Sequence, residues 1–309
     1  MIYRPFGRLA WPVSAIGLGT WNLGNQWGFV SDEDAYATVR AALDAGINLV
    51  DTADAYGLPY GLSEERVGRA LGHRRHEVIL VSKCGNWGRR DGKPVAMDTP
   101  DKVRLCAHAS LGRLGSDYLD VLLCHEGGIA DPGVYLEGFE QLVAEGRVRA
   151  YGISTDNLDV LKRFNAAGHC AVVEVHYNLL DRGAESELLP YCAEHGIAVL
   201  LRGPLAMGLL SGRYAKDHQF ADSVRAGWHK DAGRQADFER RVAQVERLAE
   251  RMARGEAMIS AALGYVISHP AAPVAIPGAK SPEQARVNAA AGARLLEEAG
   301  RAALVAAVD

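Results

Sequence analysis

Paired cysteines, long apolar runs and an excess of one charge are all missing from this sequence. Its five cysteines (Cys84, Cys106, Cys124, Cys170, Cys192) are odd in number and none stands in a CxxC pair, which indicates a reduced setting without disulfides. No apolar run approaches a membrane span, and the start MIYRPFGRLAWPV lacks the apolar core of a signal peptide. The net charge of −4 gives no general attraction to nucleic acid or to an anionic membrane. We therefore expect a soluble, cytoplasmic protein that binds neither.

Two kinds of functional motif are also absent. A Rossmann fold would need GxGxxG between a strand and a helix, whereas GLGTWNLG at 17–24 has another spacing and runs into a polar loop. A metal-dependent hydrolase or lyase could draw on His125, Glu126, Glu174 and His176, but no HxH or HExxH spacing occurs. Lys83, in the middle of such a site, would also compete with a cation. We therefore predict no metal.

Eight short apolar segments recur along the chain, most of them followed by a helical pattern. Several are continuous apolar runs, as in parallel strands that are covered on both faces. Eight strands alternating with helices favour a (β/α)8 barrel over an open sheet. We predict a single α/β barrel domain over residues 1–309, with a hairpin before residue 13 closing its floor. The predicted strands lie at 13–20, 47–52, 78–83, 118–126, 148–155, 171–178, 198–205 and 273–279.

Three predicted helices carry recognisable start signals. Ser31, Thr99 and Ser281 are suited to cap helix N-termini, and a proline follows both Thr99 and Ser281 at the first helical position. Gln284 stands where a capping box places Glu or Gln, so Ser281 and Gln284 could serve only to cap. Residues 207–238 form a long polar stretch that we expect to be a loop acting as a lid.

Polar and charged residues end most of the predicted strands. In a barrel of parallel strands these ends meet at one mouth, where barrel enzymes hold their active sites. Any one of them alone would have a structural explanation, but seven strand ends in register predict a functional site. They are Asp51, Lys83, His125, Ser154 with Thr155, Glu174 with His176, Arg202 and Lys280.

Four residues at this mouth suit the delivery of a proton to a carbonyl oxygen. The Tyr56 phenol lies five positions beyond Asp51. A free tyrosine has a pKa of about 10, so it is a poor acid at neutral pH unless its surroundings change that pKa. A neighbouring Lys83 ammonium would lower the pKa of Tyr56, and Asp51 would hold that ammonium in place. His125 could donate a hydrogen bond to the same carbonyl. None of the four is a nucleophile beside a base, so covalent catalysis is disfavoured.

The tetrad Asp51, Tyr56, Lys83 and His125 resembles that of the aldo-keto reductases. The similarity runs along the whole chain, through GLGTW, DAGINLVDTADAYG, VSKCG, LGRLGSDYLDVLLCH, VRAYGIST, VHYNLLDR, GPLAMGLLSG and IPGAKSPEQARVN. It implies a barrel that binds a nicotinamide cofactor across its mouth and passes hydride to an aldehyde or ketone. Tyr56 would then be the general acid of reduction, with Lys83 and Asp51 as its tuning pair and His125 as the group that orients the carbonyl.

The resemblance also implies where the cofactor lies. The nicotinamide end would be near Thr20, Trp21 and Asp51, with its carboxamide held by Ser154, Thr155 and Glu174. Further cofactor positions are Arg202 and Gly278, and the pyrophosphate would follow Gly203, Leu205 and Gly208. The adenosine 2′-phosphate would lie at Lys280, Ser281, Gln284 and Asn288. A cation, a hydroxyl and a helix N-terminus are anion-binding groups in any case, and Lys280 favours NADP(H), with NAD(H) as the alternative.

Four positions depart from the family pattern. Glu174 replaces the usual Gln and, when ionised, cannot donate to a carboxamide, while Thr155 replaces Asn. Arg202 takes a position that is often aromatic, where it could stack on a ring or reach an acidic substrate group. Glu126 and two glycines replace a bulky pair after His125, which should widen the substrate pocket. We expect substrate contacts from Trp21, Trp87, Glu126 and Arg202.

The substrate and the oligomeric state stay open at this level. Loops rich in Asn, Gly, Arg, His and Trp favour a small polar carbonyl or alcohol, such as a sugar, over an apolar one. The leading interpretation is an NADP(H)-dependent carbonyl reductase, equally an alcohol or sugar dehydrogenase in reverse, with a place in sugar metabolism. A redox-sensing protein that holds the cofactor with little turnover is the alternative, and a metal-dependent barrel enzyme is less favoured.

Overall fold

Eight parallel strands form a closed barrel in the computed structural model, which describes all residues 1–309. They follow one another around the barrel in chain order. Parallel bridges of Ile16 with Ala275 and of Gly19 with Gly278 join the first strand of this sheet to the last. A separate antiparallel hairpin precedes the barrel strands. The fold is thus the predicted (β/α)8 barrel. The strands are β1 Tyr3–Pro5, β2 Pro12–Ser14, β3 Leu18–Gly19, β4 Leu49–Asp51, β5 Ile79–Cys84, β6 Leu119–Cys124, β7 Val148–Ser154, β8 Val172–His176, β9 Ala198–Arg202 and β10 Val274–Ala275.

Ten α-helices accompany these strands, and none is long and apolar enough to cross a membrane. Short 3-10 helices lie between them, among others at Trp21–Gly24, Arg89–Asp91, Ala206–Ser211 and Ala226–His229. The α-helices are α1 Asp32–Asp44, α2 Leu62–Leu71, α3 Pro100–Leu114, α4 Gly133–Ala144, α5 Leu158–Phe164, α6 Leu188–Glu194, α7 Ala232–Ala249, α8 Glu256–Ile267, α9 Pro282–Ala290 and α10 Glu298–Val308.

The three predicted helix starts are found where the capping residues place them. The side chains of Ser31, Thr99 and Ser281 each accept a hydrogen bond from the backbone N–H three residues further on. Each bond satisfies one of the N–H groups that the first turn of a helix leaves without a partner. α1, α3 and α9 therefore begin at residues fixed by local sequence.

The apolar core has two layers, as expected when strand side chains alternate between the barrel interior and the helices. Along β5, Leu80 faces the helices, whereas Val81 belongs to the cluster inside the barrel. Phe6 and Val13 of the hairpin region are buried in that interior cluster. The hairpin thus closes the barrel at the end opposite the mouth.

The predicted strand at 13–20 is two strands in the structure. Residues 12–14 pair with β1 in the hairpin, and only Leu18–Gly19 joins the barrel sheet. Between them the chain passes from the floor to the wall, where the Gly17 N–H donates to the Ala275 carbonyl. The continuous apolar pattern did not reveal this change of partner, because both segments are buried.

The predicted loop at 207–238 contains more regular structure than we expected. Its last seven residues belong to α7, and a 3-10 helix spans Ala226–His229. The Phe220 side chain is buried and packs against the rings of Tyr214, Trp228 and Phe238. Aromatic packing therefore holds together a stretch whose polar composition suggested an open loop.

Candidate active site

The carboxyl ends of three neighbouring strands bring the predicted catalytic residues to one mouth of the barrel. Asp51 is the last residue of β4, Lys83 lies near the end of β5, and His125 directly follows β6. Tyr56 comes from the loop after β4, where its N–H donates to the Ala53 carbonyl at 3.1 Å and turns the chain back. Strand ends and one tight loop thus place all four side chains together.

Lys83 is the centre of this group. Its fully buried ammonium lies 2.6 Å from Asp51 Oδ1 and 3.1 Å from the Tyr56 hydroxyl, and it donates to the Thr52 carbonyl at 3.0 Å. The His125 ring stands almost perpendicular to the Tyr56 ring, with centroids 5.9 Å apart, and its buried Nδ1 has no partner. The phenol therefore has an ammonium and an imidazole as neighbours, an arrangement suited to general acid chemistry.

A second carboxylate, that of Glu174, also faces Lys83. Its Oε2 lies 3.0 Å from the Lys83 ammonium, and like Asp51 it is buried. One buried cation thus faces two buried carboxylates. Burial and the charge of Glu174 raise the pKa of Asp51 well above its usual value, although Lys83 acts in the opposite direction. Because a buried net negative charge is costly, this cluster favours keeping a proton.

Burial also controls the protonation of Tyr56 and His125. Lys83 lowers the pKa of Tyr56, as we expected, but burial raises it by more, and the charges of Asp51 and Glu174 add to the rise. The net shift is therefore upward, opposite to our expectation. Burial, followed by the charge of Lys83, lowers the pKa of His125 well below its usual value. Near neutral pH both side chains are uncharged hydrogen-bond donors, which suits contact with one carbonyl oxygen.

The tetrad opens onto a single large cavity of about 1130 Å³. This volume exceeds that of a usual drug-sized pocket, whose upper limit is about 1,000 Å³. The cavity runs from Tyr56 and His125 across the mouth to the first turn of α9. The predicted cofactor residues that line it are Trp21, Asp51, Ser154, Thr155, Glu174, Arg202, Gly203, Leu205, Gly208, Gly278, Lys280, Ser281, Gln284 and Asn288.

The far end of the cavity combines the groups that sequence reasoning connected with an anion. Lys280 precedes α9, and its ammonium donates to the Trp27 carbonyl, which ties this end to the loop after β3. Ser281 Oγ accepts from the Gln284 N–H at 3.3 Å, and Gln284 Oε1 accepts from the Lys280 N–H at 2.9 Å. Ser281 and Gln284 thus do cap the helix. They also line the cavity beside the Lys280 side chain.

The middle of the cavity is lined by the backbone after β9. Gly203 and Gly208 have φ values of +65° and +95°, which non-glycine residues rarely adopt. A Cβ on Gly203 would come within 2.9 Å of the His176 ring, so only glycine fits there. His176 itself lies 3.1 Å from Asp181, a local polar contact. At these two glycines the chain therefore presents backbone to the cavity.

Two of the departures from the family pattern have their own partners inside the protein. Thr155 Oγ1 donates to the Gly127 carbonyl at 2.6 Å, which occupies its only proton. Arg202 forms an ion pair with Asp156, whose other oxygen accepts from the His176 N–H at 2.7 Å. The Thr155 hydroxyl proton and one Arg202 nitrogen are thus engaged within the protein.

Besides the buried Lys83, three predicted site residues do not line the cavity. Thr20 is fully buried below the mouth and its hydroxyl donates to the Asp51 carbonyl at 2.8 Å. Trp87 packs against the ring of Tyr60 and the guanidinium of Arg113. The Glu126 carboxylate accepts from the Tyr135 hydroxyl at 2.6 Å and lies 3.7 Å from Arg89. These three side chains therefore pack within the walls of the mouth and do not form the surface of the cavity.

Other lining residues escaped sequence reasoning because they lie in loops without a strand-end pattern. The guanidinium carbon of Arg90 lies 4.6 Å from the centre of the Trp21 ring, which in turn stacks on Tyr56. For the arginines among these residues, the only signal in the sequence was their clustering in loops rich in Gly and Trp. The principal residues missed are Asn22, Asn86, Arg89, Arg90, Asp156, Asn157, Arg213, Tyr214 and Arg225. No group of three or more His, Cys, Asp or Glu side chains is arranged to hold a metal ion.

Known proteins resemble this chain over most of its length. Residues 15–308 match the model of the Aldo/keto reductase family. The chain is 33% identical to the aldo-keto reductase YhdN of Bacillus subtilis, over 88% of this chain and 82% of that one. It is 32% identical to an NADH-specific methylglyoxal reductase of Escherichia coli, over 93% and 92%. A Klebsiella pneumoniae aldo-keto reductase, solved with NADPH, superposes with a TM-score of 0.73 at 31% identity, covering 100% and 96%. The chain belongs to the aldo/keto reductase family.

Proposed function

We propose that this protein transfers hydride between NADP(H) and the carbonyl of a small polar compound, with Tyr56 as the general acid and base. The observation that carries the proposal is the contact of the Tyr56 hydroxyl with the buried Lys83 ammonium, at 3.1 Å, beside the His125 ring. Phenol, ammonium and imidazole meet at the rim of a cavity large enough for a dinucleotide and a second molecule. This set delivers a proton and offers no nucleophile with an adjacent base.

The residues present fit a dinucleotide that carries a nicotinamide. Trp21 lines the cavity beside Tyr56, and the glycine-containing backbone after β9 allows close approach of a phosphate. Lys280 offers a cation at the far end, next to the positive end of the α9 helix dipole. When bound, the nicotinamide supplies a hydride in reduction and accepts one in oxidation.

In reduction, the Tyr56 hydroxyl gives its proton to the substrate oxygen as negative charge develops there. The Lys83 ammonium, which stays protonated because Asp51 and Glu174 surround it, stabilises the phenolate that remains. The neutral His125 donates a hydrogen bond to the same oxygen and fixes its direction. In oxidation the phenolate removes the proton from the alcohol, so one side chain serves both directions.

The cofactor preference rests on Lys280. Its position next to the N-terminus of α9 suits a 2′-phosphate, which favours NADP(H). The Klebsiella pneumoniae relative was solved with NADPH, whereas the Escherichia coli relative is NADH-specific. Both cofactors therefore belong in the assay, with NADPH expected to give the higher kcat/KM.

The experiment that tests this proposal follows NADPH oxidation in the presence of small carbonyl compounds and then repeats the assay with a chelator. The panel contains methylglyoxal, glyceraldehyde, a free aldose, an aliphatic aldehyde and a steroid ketone. We expect turnover of the small polar members that survives chelation. Activity lost with the chelator would contradict the proposal, and so would binding of NADPH without turnover of any carbonyl, which would favour a redox-sensing role.

A further inference from the structure

Two guanidinium groups that line the cavity, those of Arg90 and Arg213, have no carboxylate partner, and only that of Arg90 lies over an aromatic ring. Arg89 lies 3.7 Å from Glu126 and Arg202 is paired with Asp156, but no Asp or Glu lies within 4.0 Å of the Arg90 side chain. Arg90 instead lies over the Trp21 ring, with its guanidinium carbon 4.6 Å from the ring centre. Its charge is thus stabilised by an aromatic face and remains free for a ligand.

This free cation lies on the substrate side of the proposed reaction centre. The Trp21 ring stacks on Tyr56 with centroids 5.7 Å apart and an angle of 21° between the planes, so guanidinium, indole and phenol follow one another in a stack. The charges of Arg202, Arg89 and Arg90 all lower the pKa of His125, after burial and Lys83. The charges that shift the pKa of His125 most are therefore all positive, and Arg90 is one of them.

Partial burial acts on the unpaired charge at Arg90, although the side chain as a whole is exposed. It lowers the pKa of the guanidinium, and the neighbouring groups that act against this are the phenols of Tyr56 and Tyr60. A guanidinium without a counter-charge can pair with an anion directly, whereas one that is already paired must first leave its carboxylate. Its planar set of donors suits the two oxygens of a carboxylate or the oxygens of a phosphate.

We propose that the physiological substrate carries an anionic group, a carboxylate or a phosphate, which Arg90 binds while the carbonyl lies between Tyr56 and His125. The inference rests on the proposed function, because it takes Tyr56 and His125 as the groups that receive the carbonyl. It goes beyond that function by defining the substrate as a carbonyl compound with an acidic end. Arg90 is then a specificity-determining residue and takes no part in proton transfer.

The test compares matched substrates that differ only in charge. Glyceraldehyde 3-phosphate is paired with glyceraldehyde, and 4-oxobutanoate with its methyl ester, so that phosphate and carboxylate are distinguished. The quantity measured is the ratio of kcat/KM for the charged member to that for the neutral member. We expect this ratio to exceed one for at least one pair and to fall about tenfold in Arg90→Gln, since a charge-assisted hydrogen bond is lost.

Two further variants serve as controls. Arg90→Lys keeps the charge but not the fork, so the ratio should fall less than in Arg90→Gln. Arg251→Gln removes the same charge from an exposed residue outside the cavity and should leave the ratio unchanged. A fall of the ratio in Arg251→Gln equal to that in Arg90→Gln would overturn the proposal, because net charge alone would then explain it.

A binding measurement separates this proposal from the proposed function. Glycerol 3-phosphate and glycerol, and 4-hydroxybutanoate and 1,4-butanediol, are titrated into the protein with NADP+ present, and tryptophan fluorescence is followed. Tighter binding of a charged member, lost in Arg90→Gln, supports the anionic site even if no carbonyl is turned over. Equal binding of both members of each pair overturns it, even if neutral carbonyls are reduced well.

Discussion

Glu174 is the residue whose structural role departs most from what its position in the sequence implied. The family pattern suggested a side chain that accepts from a carboxamide, but its carboxylate lies 3.0 Å from the Lys83 ammonium. The charge of Glu174 raises the pKa of both Asp51 and Tyr56. A residue expected to hold a ligand thus also acts on the group that we propose as the acid.

Replacing this charge should change the pH dependence of the reaction. In the mechanism we propose, alcohol oxidation needs the Tyr56 phenolate, so its kcat/KM should rise as the pH approaches the pKa of Tyr56. Glu174→Gln removes a charge that raises this pKa, so the rise should move to lower pH, by about one unit. The measurement is the pH profile of kcat/KM for oxidation.

A charge-retaining variant gives the comparison for this profile. Glu174→Asp should leave the rise of kcat/KM close to its wild-type pH, since a carboxylate remains near Lys83. If Glu174→Gln moved this rise to higher pH or left it in place, the charge of Glu174 would not act on Tyr56.

Among the elements, the segment from Ala206 to His229 combines an aromatic core with a cavity-facing surface. Phe220 is its centre, since the rings of Tyr214, Trp228 and Phe238 and the guanidinium of Arg225 all pack against it. The same segment contributes Met207, Gly208, Ser211, Arg213, Tyr214 and Arg225 to the cavity wall. Its order and the shape of the cavity therefore depend on one side chain.

Phe220→Ala should loosen this segment without unfolding the barrel. If the packed arrangement of residues 206–229 is then populated only about a tenth of the time, the apparent affinity for NADPH falls about tenfold. Fluorescence titration measures that affinity, and amide exchange in residues 206–229 measures the order. Faster exchange with unchanged NADPH affinity would show that the segment is not part of the binding site.

At the scale of the whole molecule, the candidate active site and the β1–β2 hairpin lie at opposite ends of the barrel. The tetrad stands at the carboxyl ends of the strands, while Phe6, which is buried, closes the floor together with the hairpin. This separation is general for barrels of parallel strands. It lets the two ends be changed independently.

Phe6→Ala should therefore lower stability and leave the chemistry intact. Truncation of a buried phenylalanine costs about 3 kcal/mol of unfolding free energy or more, because a cavity remains. Urea unfolding measures this loss, and kcat/KM at a temperature well below unfolding should stay near the wild-type value. A large fall in kcat/KM of the folded variant would mean that the floor and the mouth are coupled.

The barrel and the tetrad could be predicted because both depend on regular features. Buried strands leave continuous apolar runs, and a residue such as Lys83 at a strand end is placed by the register of its neighbours. The packing of residues 207–231 could not be predicted, because Phe220 is one aromatic among polar neighbours. Nor could the net rise in the pKa of Tyr56, which depends on burial and on the distance of Glu174 from Lys83. Neither the burial of Tyr56 nor the distance between Glu174 and Lys83 can be read from the sequence.

The most direct test of the central claim is Tyr56→Phe, assayed for NADPH-dependent reduction and for NADPH binding. The variant keeps the ring and removes only the hydroxyl that lies 3.1 Å from Lys83. We predict a loss of kcat of at least about 100-fold, as expected when a general acid is removed, with the affinity for NADPH within about twofold of the wild type. A variant that reduced carbonyl compounds at near wild-type rates would contradict the assignment of Tyr56 as the proton donor.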